Sequence, residues 1–521
     1  MNTHILSVAQ MSWADMQTIQ SGTSGFDLMD RAGFAVAAAV LEHMPDFGRV
    51  VIVVGSGNNG GDGFAAAYYL RRRRLPVTVV LLSPLTQLSG DLLIHAERAI
   101  EAGAKLRETD EDMLELKRWL LRSVMVVDAL FGTGLCRPLH GKMAEAVKLI
   151  NALDRPVLSV DIASGLDADS GAVLGRAIQA DFTLPIAACK WGYWMGQGID
   201  YSGRLLLAAP IGIEEETLCD AVAALPSGDK FMHIQSACFI DEQMIRAGWS
   251  KRPHSAHKGD FGHVWIFGGS IGFAGAPQLS ALGAFAAGAG LVSLVCPDNI
   301  YPVVAAGSLE VMVHPESTAC WLNEDGGVRE QVDVIVAGSG WANRHSFLLL
   351  TLLQASCPLL LDAEALNMLA INEELQMTLA ERDDLTLLTP HPGEAARLLE
   401  CSINTIQKDR RRAVITLSRL YRCWVMLKGS ETLIASPQGD LMINISGSPD
   451  LAVAGSGDLL AGMLGRQMAL CASKGMDVGV MLAAAVGLHG SAGEQEGWYL
   501  VRDLATVIAQ MRQQLERTSP E

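Results

Sequence analysis

The chain of 521 residues has no C-x-x-C pair among its ten cysteines, which are scattered from Cys136 to Cys471. That scatter argues against disulfides or a zinc site, and predicts buried thiols in a reducing compartment. Positive charge is also short. Asp and Glu outnumber Lys and Arg by 26 to 19 in residues 1–222 and by 31 to 21 beyond, for a formal net charge of −17. With both halves acidic, neither a nucleic acid nor an anionic membrane is an expected partner. A phosphate would have to be held locally, by backbone amides and a few lysines. The opening MNTHILSVAQMSW lacks the basic end and apolar core of a signal peptide, so a cytoplasmic location is expected. Val264 to Pro297 contains no charged residue, yet seven glycines and Pro277 break it, which predicts buried core rather than a membrane span.

Glycine is abundant, at 52 residues. With this length it predicts two α/β domains with many tight loops, divided within residues 220–235 as 1–222 and 223–521. Pro226-Ser227-Gly228-Asp229 is the candidate linker. In the first half, helix patterns over Met11–Gln20 and Asp27–Leu41 precede the β-branched run Val50–Val54. A glycine-rich turn follows, Gly55 to Gly63, with a helix expected from Asp62 to Arg74. Glycine there is expected to supply positive φ and to bring backbone N–H groups against an anion. Apolar strands then end near Asp128 and Asp161, each running into a glycine loop. That arrangement predicts an open parallel sheet with right-handed crossovers and a ligand crevice at the strand ends.

Gly55, Gly57 and Gly60 fit G-x-G-x-x-G, the dinucleotide fingerprint, but that motif needs an acidic residue about 20 positions on. The strand Val77–Leu82 ends instead in Ser83-Pro84, and no Asp or Glu occurs between Gly63 and Asp91. The match to intact NAD is therefore a coincidence.

The hexapeptide Asn58-Asn59-Gly60-Gly61-Asp62-Gly63, with FGTGL (Phe131–Leu135) and DIASGLDAD (Asp161–Asp169), resembles the NAD(P)H-hydrate epimerases over roughly residues 5–215. The resemblance implies a Rossmann-like doubly wound sheet that interconverts the R and S forms of nicotinamide dinucleotides hydrated at C6. It implies that Asn58, Asn59, Gly60, Gly61 and Asp62 line the substrate, together with Gly132, Thr133, Gly134, Leu135, Cys136, Arg137 and Pro138. Asp161 is then the candidate acid/base, and Asn59, Asp128 and Ser164 the ligands of a potassium ion. Ala163 departs from the proline usual in this motif, and Leu184-Pro185 interrupts the stretch Asp181–Lys190, which usually reads as a plain strand into a lysine.

In the second half, strands are expected at Val264–Phe267, Leu291–Val295, Asp333–Val336 and Pro358–Leu361. Three stretches carry chemistry. LLTPHPGE (Leu387–Glu394) fixes His391 between prolines, as a turn residue or a ligand. VMLKGSET (Val425–Thr432) ends a strand at a Lys-Gly turn. AGSGDLLAG (Ala454–Gly462) puts glycine amides at a helix N-terminus, with Asp458 placed to take a proton from a hydroxyl or simply to cap. With HKGDFG and GGSIGFAGA, these resemble the ribokinase-like NAD(P)H-hydrate dehydratases over roughly residues 240–510. The resemblance implies that Ala276, Gly340, His391 and Asp458 touch the hydrated nucleotide. Lys428, Gly429, Ser430, Glu431, Thr432 and Gly457 would hold ADP, with Mg2+. Gly338-Ser339-Gly340-Trp341 stands where GPGL is usual, and Ser448-Pro449-Asp450 and Ala454 vary a region normally richer in glycine. The two halves would then catalyse successive steps of one repair route, in a homo-oligomer whose small-molecule partners are NADHX, NADPHX and ADP. The alternatives are a thiazole- or hydroxymethylpyrimidine-type kinase fused to a nucleotide-binding domain, and a non-catalytic first half.

Overall fold

The computed structural model describes residues 4–109, 112–223, 236–329, 332–342 and 345–518. The chain divides into two compact units, Met1–Ala237 and Cys238–Glu521. The proposed linker residues Pro226–Asp229 lie outside the described residues.

The first unit is built on a seven-stranded sheet. Its spatial order is Lys105–Glu108, Val77–Leu81, Val50–Val54, Met125–Ala129, Val157–Val160, Phe182–Leu184 and Arg204–Leu205. Every pairing is parallel. The strand Val50–Val54 is buried along its whole length, as expected of a strand covered on both faces. Chain order reverses on either side of it, so its carboxyl end opens into the crevice where such sheets bind ligands.

Two expectations for Gly55–Gly63 are corrected here. The helix runs Asn58–Arg72, capped by Gly57, so the hexapeptide is its first turn and a half rather than a loop. None of Gly55, Gly57, Gly60, Gly61 or Gly63 has positive φ. Their cause is volume. A Cβ on Gly60 would stand 2.1 Å from the Gly55 carbonyl oxygen, and one on Gly61 would stand 2.2 Å from Met29 Sδ. One on Gly63 would reach 2.7 Å from Ala129 Cβ. The missing side chains let the helix sink onto the sheet.

The second unit carries a ten-stranded sheet, in the order Ser236–Phe239, Asp440–Asn444, Thr432–Ala435, Trp424–Leu427, Thr386–Leu388, Leu359–Leu361, Val334–Ala337, His263–Phe267, Leu291–Cys296 and Met312–Pro315. The run from Trp424–Leu427 to Met312–Pro315 is parallel, and Thr432–Ala435 turns back antiparallel as a hairpin. The charge-free stretch from Val264 splits into a strand, the helix Gly275–Ala286 and a second strand. Among the described residues no helix is long and apolar enough to cross a membrane. Gly283 and Gly462 seat that helix on the helix Ser456–Lys474. A Cβ on Gly283 would lie 1.9 Å from the Leu459 carbonyl oxygen.

The cysteine expectation holds in part. All ten are free, but Cys136 and Cys219 are exposed. Cys219 Sγ lies 3.7 Å from His4 Nε2, which bonds Glu215 at 2.6 Å. These three form the one cluster of metal-type donors among the described residues.

Candidate active sites

In the first unit a cavity of about 720 Å³ opens at the carboxyl ends of the strands. Asn58, Asn59, Asp62, Gly132, Thr133, Gly134, Leu135 and Asp161 line it. Cys136, Arg137 and Pro138, expected with them, are exposed and are not among its lining residues. Gly60 and Gly61 are buried behind the wall, where they seat the helix.

Asp161 follows its strand directly and holds φ of 65°, a left-handed conformation that costs a non-glycine residue on the order of 1 kcal/mol. The turn aims its carboxylate back at Lys190. Lys190 Nζ donates to Asp161 Oδ1 at 2.5 Å, to the Ile186 carbonyl at 2.7 Å and to the Ala188 carbonyl at 2.9 Å. The Leu184-Pro185 interruption explains how: the chain leaves the sheet after Leu184, and Cys189–Lys190 instead pairs with Ile5–Leu6. Tyr193 Oη donates to the Asp161 carbonyl oxygen at 2.5 Å and fixes the turn.

Sequence reasoning missed Lys190 as a site residue, and missed Asp15 on the helix Val8–Gln20, which also lines the cavity. Burial pushes the Asp15 carboxyl up to about 6, with Lys190 opposing and Asp161 adding to the rise. Burial drives Asp62 well above the carboxylate range, reinforced by Asp161 and Asp15. Lys190 carried a weak signal, as the lysine closing an interrupted strand. Asp15 carried none beyond its place on a helix.

Asp128 and Ser164 are in direct contact. Asp128 accepts from Ser164 Oγ at 2.6 Å, Ser164 N at 2.9 Å, Ser159 Oγ at 2.8 Å and Leu130 N at 3.3 Å. All four donors are neutral, so burial raises its carboxyl despite the hydrogen bonds from Ser164 and Ser159. Asn59 packs on Gly132, and its buried side-chain nitrogen has no hydrogen-bond partner. The buried Asp128 carboxylate, met only by neutral donors, is an arrangement that a bound cation would complete, whereas the Asn59 amide nitrogen, a donor, calls for an acceptor.

In the second unit, Lys428 draws the predicted stretches together. Its Nζ donates to Asp362 Oδ1 at 2.6 Å, and Asp362 also accepts from Thr389 Oγ1 at 2.7 Å. Burial works against the ammonium, but Asp362 and Glu394 outweigh it and raise Lys428. A Cβ on Gly457 would stand 3.7 Å from Lys428 Nζ, so the glycine turn and the lysine face each other. Asp458, in the first turn of the helix Ser456–Lys474, is pushed up to about 6 by burial and by Asp362, against Ser339 and Lys428. Gly455 needs its φ of 96° to cap that helix. Ala276 and Gly340 are neighbours: a Cβ on Gly340 would lie 3.0 Å from that of Ala276.

His391 is the N-cap of the helix Pro392–Leu398. Its Nδ1 accepts from Gly393 N at 2.9 Å, while its own N–H donates to Glu394 Oε2 at 2.8 Å. The turn role is thus present, with the ring half exposed beside the site. Burial pushes Glu394 up to about 7 against the pull of Lys428. Asp362, Glu394 and Ser339 were not singled out from the sequence, where each reads as an ordinary strand-end or capping residue. Arg410 was missed as well. Its guanidinium lies under the Lys428–Thr432 turn and donates to the carbonyls of Leu427, Lys428 and Glu431 at 3.4, 3.2 and 3.0 Å.

Two α/β units on largely parallel sheets, each with buried carboxylates and a lysine at its strand ends, have the form of a two-site enzyme. Residues 264–511 match the family described as NAD(P)H-hydrate dehydratase, and residues 25–192 the family described as YjeF-related protein N-terminus. The chain is 31% identical over 428 residues to the bifunctional NAD(P)H-hydrate repair enzyme of Coxiella burnetii, covering 80% of each chain. It is 32% identical to that of Escherichia coli, covering 80% of this chain and 75% of the relative. Among solved structures, an ADP/ATP-dependent NAD(P)H-hydrate dehydratase from Bacillus subtilis, co-crystallised with ATP and Mg2+, is 28% identical with a TM-score of 0.45. It covers 53% of this chain, which covers 98% of it. The chain belongs to the family of bifunctional NAD(P)H-hydrate repair enzymes, which sets aside both the small-molecule kinase and the non-catalytic first half.

Proposed function

We propose that the first unit interconverts the R and S hydrates of NADH and NADPH at Asp161, and that the second dehydrates the S form at Asp458 at the expense of ADP. The single observation that carries this is the pair of sites itself. Asp161 is buried at the end of a strand and paired with Lys190, and Asp458 stands half-buried at a helix start within the field of Asp362 and Lys428.

In the first site, Lys190 orients Asp161 by a short charge-assisted bond, and the carboxylate would accept a proton from the hydrated ring. Asn58 and Gly132–Leu135 would position the dinucleotide. Asn59, Asp128 and Ser164 would hold potassium. The neutral donors around the buried Asp128 support that assignment. The ion would supply fixed positive charge next to an anionic substrate.

In the second site, Asp458 takes the proton from the C6 hydroxyl as that oxygen attacks phosphorus, a step matched to a carboxyl near 6. Lys428 and the amides of the Gly455–Gly457 turn face the developing phosphoryl charge. Lys428–Thr432 and Gly457 would hold ADP, and Ala276, Gly340 and His391 the hydrated ring. Magnesium would enter with the nucleotide and neutralise its phosphates, among the oxygen donors of Asp362 and Glu394. A cytoplasmic homo-oligomer remains part of the reading.

The test is a mixture of R and S NADH hydrate supplied with ADP or ATP, following recovery of NADH. The full chain should convert both epimers. Asp458→Ala should stop recovery while epimers still interconvert, and Asp161→Ala should halt recovery once the S form is exhausted. Normal dehydration by Asp458→Ala would remove its role. No recovery with either nucleotide would remove the dehydratase reading.

A further inference from the structure

Three carboxylates and one ammonium line the cavity of the first unit close enough to couple: Asp15, Asp62, Asp161 and Lys190, with Asp91 also in the wall. An ammonium has three protons to give. Lys190 uses all three, on Asp161 and on the carbonyls of Ile186 and Ala188. It therefore neutralises one carboxylate by direct contact and leaves Asp15 and Asp62 without a hydrogen bond from the cation. Like carboxylates sharing a low-dielectric cavity cannot all ionise, so the resting site carries at least one proton.

Asp15 stands on the helix Val8–Gln20, before residue 25, where the match to the family of the first half begins. We propose that Asp15 is a catalytic acid of the first site, giving its carboxyl proton to the oxygen on the hydrated ring carbon, with Asp161, held in place by Lys190, as the proton acceptor. The assignment rests on the epimerase reading and deepens it. Protonation lets the C6–O bond break: water departs, and the lone pair of the ring nitrogen closes a C=N bond. Water returning to the other face re-forms the C–O bond and gives its extra proton to the Asp161 carboxylate, from which it returns to Asp15 through solvent. Nothing is oxidised or reduced, and the net change is inversion at one carbon.

The groups facing Asp15 favour it over Asp62 for this work. Asp62, on the helix Asn58–Arg72, feels both other carboxylates and lies well above the carboxylate range, which keeps its proton in place. Asp15 is also raised by Asp161, but Lys190 tempers the rise, which leaves it near 6, where a proton can be both given and regained. Cys189 and Tyr193, the other titratable groups beside Asp161, are raised by burial and stay neutral.

The experiment uses the full chain and its Asp15→Asn variant, which keeps shape and loses the proton. Interconversion of separated R and S NADH hydrate is followed from pH 5 to 9, with ADP-dependent dehydration and the melting temperature read on the same preparations. Epimerisation should fall by about 100- to 10,000-fold in Asp15→Asn. The wild-type rate should decline as pH rises above about 6, and that limb should be missing from the residual activity. Asp15→Glu should recover part of the rate with the limb. Epimerisation by Asp15→Asn within twofold of wild type, or a loss that keeps the limb, would overturn the assignment. A wild-type chain that does not epimerise at all would instead remove the reading of the site, and the assignment with it.

Discussion

Lys190 Nζ meets Asp161 Oδ1 at 2.5 Å, and both side chains are drawn out of water to do so, at 1% and 13% exposure. A buried pair of this kind is strongly destabilised when one partner is removed, because the other charge is left uncompensated. Lys190→Met should therefore lower epimerisation by at least about 100-fold and lower the melting temperature of the first unit, while Lys190→Arg should recover stability better than rate. Differential scanning calorimetry and chromatographic resolution of the epimers check both halves of the statement.

Asp458, raised to about 6, must be ionised to take a proton. The dehydration rate at saturating substrate should rise with pH through about 6 and flatten above it. Asp362→Asn removes the like charge that raises Asp458, so the midpoint should move down. A pH profile of single-turnover NADH recovery reads the shift.

Arg410 shapes the nucleotide turn without being one of the residues proposed to touch the nucleotide. Its Nη2 reaches all three carbonyls while Nη1 meets Gln407, a placement that the single ammonium of Arg410→Lys does not reproduce. The expected result is a KM for ADP raised by about tenfold with kcat nearly kept, measured by steady-state dehydration at varied ADP.

His489 is buried next to Ser456, with Nε2 3.3 Å from its Oγ, and burial lowers it to about 4. The unfolded chain binds the proton near 6.5, so between about 6.5 and 4 it holds more protons than the folded one. Stability of the second unit should fall as pH drops through that window, by on the order of 3 kcal/mol over its whole width. Chemical denaturation at pH 7 and pH 4.5, repeated with His489→Gln, isolates this contribution.

The strands were legible because their apolar runs are sharply bounded, by Gly55, Asp161 and Gly268: Val50–Val54, Val157–Val160 and Val264–Phe267 lie within a residue of where their patterns stop. The helix at Asn58 was not, because two asparagines and three glycines in six residues are poor helix formers. Tertiary packing overrides that propensity, since the glycines admit close contact with Gly55 and Ala129. Asp161 and Asp458 could be picked out by position after a strand and at a helix start. Asp15, Lys190, Asp362 and Glu394 could not, because what gives them meaning is a neighbour far away in sequence, and burial that no local pattern records.

The close seating of Gly60 and Gly61 has a consequence for how the first site can change. Because their backbone angles are ordinary, a D-amino acid would be no better accommodated there than an L-amino acid; what is scarce is room. A saturation scan should sort these two positions by substituent size, with alanine already failing at Gly60 against the Gly55 carbonyl and better tolerated at Gly61, where the Met29 thioether can move. The floor of this pocket is fixed by excluded volume, so new substrate preferences would have to arise on the rim.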